Sequence, residues 1–280
     1  LPVVAFRAAF AMNLVNGTEN NTISLHDRGW SYGDGVFRTL LLRSAQPRCW
    51  PRHYAKLRDD CARLHIECPS AALFEQDLRR IAIQQPDCAV RITVTRGNAT
   101  RGYAIQQGAA PTRVVASSPP PVYPVEYQSQ GIRAQLCRTQ LAMQPALAGI
   151  KHLNRLENVL ARSEWNDPGI AEGIMCDTAG NVISGTMSNL FAVFGDELAT
   201  PDVSCCGVAG VQRERVLEFA DAHGIPAKVT AFGIERLLGA DEVFLVNSII
   251  GIWQITVLGK KLWHSGKLTP QFRQWLDADD

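Results

Sequence analysis

Gly149-Ile150-Lys151-His152-Leu153-Asn154-Arg155-Leu156-Glu157 sets a lysine directly after an apolar segment and at the head of an amphipathic pattern. The spacing predicts a helix from 152 to about 165, with Leu153, Leu156, Val159 and Leu160 on one face. A lysine placed there can lie close to a site between structural layers. Its amine forms Schiff bases with carbonyls, and partial desolvation or a neighbouring cation lowers its pKa enough to keep it reactive. Arg155, one helical turn on, supplies such a cation. The same lysine also fits a plain solvated helix start, so the segment needs company before it decides anything.

Upstream, residues 12–15 and 23–25 flank the polar stretch 16–21 and predict two short strands around a turn. Residues 36–42 form a continuous apolar run with β-branched members, which predicts a buried strand. Leu57, Cys61 and Leu64 recur at helical spacing, and Leu78, Ile81 and Ala82 predict a second helix after Pro69 and Ser70. Val90, Ile92 and Val94 alternate with Arg91, Thr93 and Thr95, a half-buried strand that leads into the loop 96–103. The stretch 117–124 holds four prolines and predicts a stiff linker. The expected organisation is an N-terminal extension over 1–11 with Met12 the natural start, an α/β domain over 12–116, the linker 117–124, and a larger domain over 125–280 that carries Lys151.

Downstream, a strand is expected over 132–137, a hairpin pairs 173–177 with 182–184, and 189–194 forms another strand. Gly207 to Gly210 precede a helix running to His223, closed by Gly224 and Pro226. Residues 242–247 predict a final buried strand. Strands and helices lack a strict βαβ rhythm, so segregated α+β layers fit better than a doubly wound sheet. No G-x-G-x-x-G follows a strand and no Walker A loop is present, which removes support for dinucleotide and nucleoside-triphosphate binding.

Composition narrows the partner. The 280 residues carry 28 basic against 27 acidic side chains, a net charge of +1, which excludes the strong positive field of a dedicated nucleic-acid or anionic-membrane binder. No apolar run approaches the roughly 20 residues of a membrane span. A small-molecule partner is expected. The eight cysteines form no C-x-x-C pair, and adjacent Cys205 and Cys206 are poorly placed for zinc, so no metal is expected. Reduced thiols and a start without a basic n-region point to a soluble cytoplasmic protein without a secretory leader.

Four further stretches could join Lys151. Gly207-Val208-Ala209-Gly210-Val211-Gln212-Arg213 feeds a helix start whose amides and positive dipole end suit a phosphate. Asn247-Ser248-Ile249 ends a buried strand and could close around the same anion. The loop 95–103 carries Arg96, Arg101 and Tyr103, and a forked guanidinium suits a substrate carboxylate. Residues 27–39 place glycines beside a buried strand with Arg28, Tyr32 and Thr39. Taken singly, each also reads as an ordinary turn, loop or strand end.

Taken together and in this order, D-R-G-W-S-Y-G-D-G-V-F (27–37), K-H-L-N-R-L-E (151–157), S-N-L-F (188–191) and G-V-A-G-V (207–211) resemble the fold-type IV pyridoxal-phosphate enzymes. That group includes branched-chain and D-amino-acid aminotransferases and aminodeoxychorismate lyases, and the resemblance runs from about Met12 to the C-terminus. G-I-K-H-L-N-R-L-E (149–157), R-G-Y (101–103) and N-S-I-I-G-I-W (247–253) are similar to the lyases in particular. The resemblance implies a two-domain α+β fold like that of D-amino-acid aminotransferase, a barrel-like C-terminal domain, and a homodimer with pyridoxal 5'-phosphate between the domains. It implies that Lys151 is the Schiff-base lysine and proton shuttle. Val211 and Gln212, with Ser248 and Ile249, would hold the phosphate, Arg101 and Tyr103 a substrate carboxylate with Arg28 as a further candidate, and Tyr32 and Thr39 would line the substrate side, Thr39 as a proton donor. The activity implied is cleavage of 4-amino-4-deoxychorismate to 4-aminobenzoate and pyruvate on the route to folate. The alternatives are an aminotransferase of the same fold and a noncatalytic relative.

Two positions depart from the family pattern. Lys56 stands where an arginine usually binds phosphate, three residues after His53, and a point charge there replaces a fork. Ser184 stands where a glutamate usually keeps the pyridine nitrogen protonated, and a hydroxyl supplies no charge. A full aminotransferase cycle relies on the ring as a strong electron sink. Elimination that yields an aromatic product has its own driving force, so a lyase tolerates the change better.

Overall fold

The computed structural model describes residues 11–106 and 108–278. The expected extension over 1–11 therefore lies, but for Ala11, outside the described residues. The chain forms two compact units, one running up to Val122 and including His152–Asn154, the other made of Tyr123–Lys151 and the residues from Arg155 onward.

The first unit contains β1 (Asn13–Val15), β2 (Thr18–Glu19), α1 (Arg28–Tyr32), β3 (Gly35–Arg43), β4 (Gln46–Pro47), α2 (Trp50–Arg63), α3 (Ala71–Gln84), β5 (Cys88–Thr95) and β6 (Thr112–Ser118). Its sheet is antiparallel throughout, in the order β2-β1-β6-β5-β3-β4. Leu57 and Cys61 of α2 and Phe74, Leu78 and Ile81 of α3 are buried, as the helical spacing requires. Each such aliphatic or aromatic side chain stabilises the fold by roughly 1.5–3 kcal/mol relative to exposure. Two expectations change here. The first turn is tighter than the sequence pattern suggested, because Asn16 and Gly17, at φ 51° and 83°, make a two-residue hairpin, while Ile23 and Leu25 lie outside any strand and are exposed. The strand β6 takes Ser117 and Ser118 out of the expected linker, and the Ser117 hydroxyl accepts the Met12 amide at 2.9 Å.

The second unit contains α4 (Glu126–Ser129), β7 (Ile132–Leu136), α5 (Leu156–Arg162), β8 (Glu172–Cys176), β9 (Val182–Gly185), β10 (Asn189–Phe194), β11 (Glu197–Pro201), α6 (Val211–Ala222), β12 (Ala227–Thr230), α7 (Ile234–Leu238), β13 (Glu242–Asn247), β14 (Gly251–Leu258), β15 (Lys261–Leu262) and α8 (Leu268–Ala278). Strands β10-β13-β14-β7-β8-β9 pair in sequence, and β9 returns to β10 through Ser184 and Asn189, so six strands close on themselves. Closure removes open sheet edges from the ring. The period of two along the strands sorts the core: Leu190, Ala192, Val243 and Leu245 join one apolar cluster, whereas Phe191, Val193, Phe244 and Val246 join another with Phe219 of α6 and Phe272 of α8.

The helix expected from 152 is shorter and starts later, at Leu156. Leu153 donates its amide to the Gly35 carbonyl at 2.9 Å and His152 bridges Val36, so 152–154 is extended chain sewn to the start of β3. Leu156, Val159 and Leu160 are exposed rather than buried. The strand β13 is also not the last, since β14 runs antiparallel beside it.

Candidate active site

Lys151 is positioned by the residue pair before it. Ile150 is fully buried, and Gly149, at φ 78°, exchanges backbone hydrogen bonds with the glycine turn: its amide donates to Gly207 O at 3.0 Å and its carbonyl accepts from Ala209 N at 2.9 Å. The lysine is half-buried. This pairing ties it to the turn that opens α6, two segments about 60 residues apart in sequence. Lys151 is also the last residue of the second unit before the chain enters 152–154 of the first.

The turn ends on Gly210, which caps α6 without a side chain. A Cβ at Gly210 would stand 2.2 Å from Asn189 Oδ1, so only glycine fits. Asn189 in turn donates to Val208 O at 2.8 Å and pairs with Ser184 on one side and Val246 on the other. The result is a main-chain concavity at the start of a twelve-residue helix, in which Gly210 places no side chain of its own before the first-turn amides and Asn189 Oδ1 packs against it. The Gln212 side chain accepts from Arg215 at 2.9 Å, which leaves its contribution to the concavity with the backbone. A second turn adds to it: Asn247 Oδ1 accepts the amides of Ile249 at 2.8 Å and Ile250 at 2.9 Å, while its amide nitrogen donates to Met187 O. Ile249 N–H thus donates to Asn247, and Ser248 between them is half-buried.

Ser184 is buried on β9 between Met175 and Asn189. Its neighbour Gly185 faces the other way, towards Glu172 Oε2, which a Cβ at 185 would meet at 2.8 Å. Glu172 is fully buried and accepts from the amides of Gly173, Thr186 and Met187 and from the hydroxyls of Thr186 and Ser188. Burial pushes its carboxyl up, and these donors only partly oppose the shift. Glu172 therefore shapes the 185–188 turn from behind and does not supply a charge at Ser184.

The first unit holds the remaining candidates. Asp27 caps α1 by accepting Gly29 N at 2.8 Å and anchors it to β5 by accepting the Thr95 hydroxyl at 2.8 Å. Gly33 closes α1 in the left-handed region at φ 64°. Between these caps, Arg28 is 5% exposed; it bonds Asp34 at 2.8 Å and donates to Gly102 O at 2.8 Å and Tyr103 O at 3.4 Å. Arg96 bonds both oxygens of Asp34, at 2.8 and 2.9 Å, and donates to Leu64 O and His65 O at the end of α2. Burial works against ionisation of Asp34, and the Arg96 and Arg28 guanidiniums outweigh it, holding the carboxyl below its usual value. Tyr32 accepts Gly102 N at 3.1 Å and its ring lies 5.4 Å from that of Tyr103. Arg101 and Tyr103 are exposed at the tip of this loop. Thr39 is half-buried on β3, in register with Arg91. Lys56 is half-buried on α2, and its carbonyl accepts from Arg38 at 3.2 Å.

Comparison with known proteins adds four facts. The family model for amino-transferase class IV matches residues 35–258. The chain belongs to the aminotransferase class IV family. A crystal structure of 4-amino-4-deoxychorismate lyase from Pseudomonas aeruginosa superposes with a TM-score of 0.93 at 44% identity, covering 96% of this chain and 99% of that one. An aminodeoxychorismate lyase from Vibrio harveyi is 32% identical over 238 residues, 85% of this chain and 88% of its own length. A D-alanine aminotransferase from Bacillus licheniformis is 27% identical over 251 residues, 89% of this chain and 87% of its own. The fold is the α+β fold-type IV architecture.

Within this class IV chain, the second unit places Lys151 beside the glycine turn, Val211 and Gln212 in the first turn of α6, Ser184 on β9, and Ser248 and Ile249 in the turn held by Asn247. The first unit gathers Arg28, Tyr32, Arg101 and Tyr103 around one loop, with Thr39 and Lys56 on separate elements. Asn189, Asp34 and Glu172 are organising residues that sequence reading did not single out, and Asn247, expected in an anion-binding turn, holds that turn in shape. Asn247 ends an apolar strand, a placement that signals backbone hydrogen bonding rather than solvation, whereas Asp34 pairs with two guanidiniums.

Proposed function

We propose that this protein is a pyridoxal-phosphate-dependent 4-amino-4-deoxychorismate lyase, releasing 4-aminobenzoate and pyruvate for folate synthesis. The observation that carries the reading is the 44% identity to the Pseudomonas aeruginosa lyase over nearly the whole of both chains. The residues present fit the cofactor: a lysine is fixed beside a glycine turn whose shape excludes a Cβ, at the start of a long helix. When bound, the cofactor's conjugated ring accepts the electron pair released at the substrate's amine-bearing carbon.

The chain's own groups supply the rest. Lys151 Nζ would be the cofactor's covalent anchor and, as a free amine, would take the proton from the amine-bearing C4. The amides of Val211 and Gln212 with Ser248 and Ile249 would hold the phosphate, and Lys56 would add a point charge. Arg101 and Tyr103 orient a carboxylate. As C4 loses its proton, the ring carbon–oxygen bond breaks and the ring becomes aromatic, and the proton taken by Lys151 is returned, with Thr39 as the relaying hydroxyl, to the departing enolpyruvyl group, which leaves as pyruvate. Ser184 offers the ring nitrogen a neutral hydrogen bond.

The D-alanine aminotransferase likeness favours a second reading, transamination. It is separated by incubating the protein with an amino acid and a keto acid: new amino acid marks a transaminase, pyruvate released only from the chorismate derivative a lyase. A homodimer fits the exposed Leu156, Val159 and Leu160 of α5, and light scattering at the mass of two chains tests it. All eight cysteines are free thiols, which fits a cytoplasmic location. Among the described residues no helix is long and apolar enough to cross a membrane. Borohydride reduction of the reconstituted protein, followed by peptide mass spectrometry, should place the cofactor on Lys151; a label elsewhere, or none in active material, overturns the assignment.

A further inference from the structure

We propose that Arg28, Asp34 and Arg96 are positioning residues that fix the 101–103 loop and so set how tightly the substrate carboxylate is held. The proposal rests on the reading of Arg101 and Tyr103 as carboxylate contacts. Arg28 was expected as a further contact of the same kind, but each of its three nitrogens donates within the protein, to Asp34 and to the carbonyls of Gly102 and Tyr103.

The chain of bonds has a direction. Arg96 is clamped at one end by Leu64 O and His65 O, the last carbonyls after α2, where a cation is favoured by the helix dipole. Its fork holds Asp34 through both oxygens, and Asp34 holds Arg28. Arg28 then grips two consecutive carbonyls of the loop, while Tyr32 takes the Gly102 amide. Gly102 sits at φ 110° with nothing within 4 Å of a Cβ, so the loop has no packing of its own to hold that shape at this point. Two arginines share one carboxylate, and the surplus positive charge is directed at loop carbonyls. Planar, multidentate donation of this kind is a property of guanidinium that an ammonium does not reproduce.

The test uses the holoenzyme and two variant sets. Arg28→Lys should raise KM for 4-amino-4-deoxychorismate by about tenfold or more with kcat within about threefold, and leave cofactor absorbance unchanged, the pattern of lost binding rather than lost chemistry. Amide hydrogen exchange over 101–103 should quicken in the same variant. Asp34→Asn, which keeps the size of the side chain, should move both readouts in the same direction and carries the test if Arg28→Lys does not fold. Arg101→Ala and Tyr103→Phe form the second set. If these leave KM unchanged, the reading of the loop as a substrate contact fails, while faster exchange in Arg28→Lys still upholds the strut. If they raise KM but Arg28→Lys and Asp34→Asn change neither KM nor exchange, the proposal is overturned.

Discussion

The loop cluster of the first unit and the glycine concavity of the second solve opposite problems with opposite materials. Around Arg28, two buried guanidiniums and the half-buried Asp34 carboxylate hold a loop whose backbone has little packing. Around Gly210, the main chain itself makes the recess, and neutral asparagines hold it in shape. A buried ion pair is costly when one partner is removed, because the other charge is left without compensation. A backbone recess fails when a side chain is added. The first region should therefore respond to charge and pH, the second to volume.

The largest effect belongs to the second region. Lys151→Ala should reduce pyruvate release by at least about a thousandfold, since both the anchor and the proton carrier are lost together. Gly210→Ala should come next. Its methyl group would stand 2.2 Å from Asn189 Oδ1, and moving Asn189 breaks its bond to Val208 O. Overpacking of this sort costs about 1–3 kcal/mol, read in a urea melt, and cofactor titration should show affinity falling by about tenfold. If Gly210→Ala binds cofactor normally, the recess is not the phosphate seat and the contrast between the two regions breaks.

The acid limb of stability sharpens the contrast. Asp34 has a folded pKa below its ordinary 3.8, so its contribution is present above that value and lost as pH falls through the lower, folded one. Glu172 runs the other way. Its folded value lies above 4.5, so its contribution is fully present below 4.5 and lost as pH rises through the raised value. Denaturant melts across pH 2.5–6 should show Asp34→Asn flattening the curve on the acid side of 3.8 and Glu172→Gln flattening it above 4.5. Swapped slopes would mean that these two carboxylates do not control those limbs.

The two regions also differ in how far the sequence exposes them. The buried strand at β3, the helices α2 and α3 and the glycine turn before α6 follow from periodicity and stop residues, because local pattern and tertiary burial agree there. The segment after Lys151 misleads for a physical reason. Leu153, Leu156, Val159 and Leu160 carry a helical period, yet Leu153 is held in extended chain on β3 and the other three are exposed. The apolar pattern records surfaces that a lone chain leaves open, and tertiary pairing overrides propensity at 152–154. Asp34 and Asn247 were hard to read as organisers because Arg96 lies 62 positions from Asp34 and Met187 lies 60 positions from Asn247, and no local period encodes such pairings. The types of Arg28 and Arg96 were legible, but whether a guanidinium faces ligand or protein depends on which carbonyls the fold brings beside it.

The smallest effect expected is at Ser184, where volume and charge meet. The position is buried, its strand faces Met175 and Asn189, and Glu172 on the opposite side of β9 is already saturated with donors. Ser184→Glu would place a new carboxylate where none now acts, at a site whose neighbours are mostly neutral. If aromatisation drives the elimination, lyase turnover should change by less than about tenfold, while conversion of the cofactor by an amino acid alone, read as loss of its visible absorbance, should quicken. A rise of lyase turnover by orders of magnitude would mean that the native hydroxyl limits the reaction and that Ser184 marks a weakened site rather than one matched to elimination. Because the added side chain also increases volume beside Asn189, Ser184→Gln supplies the control: a change shared by both variants reports packing, and a change confined to the carboxylate reports charge.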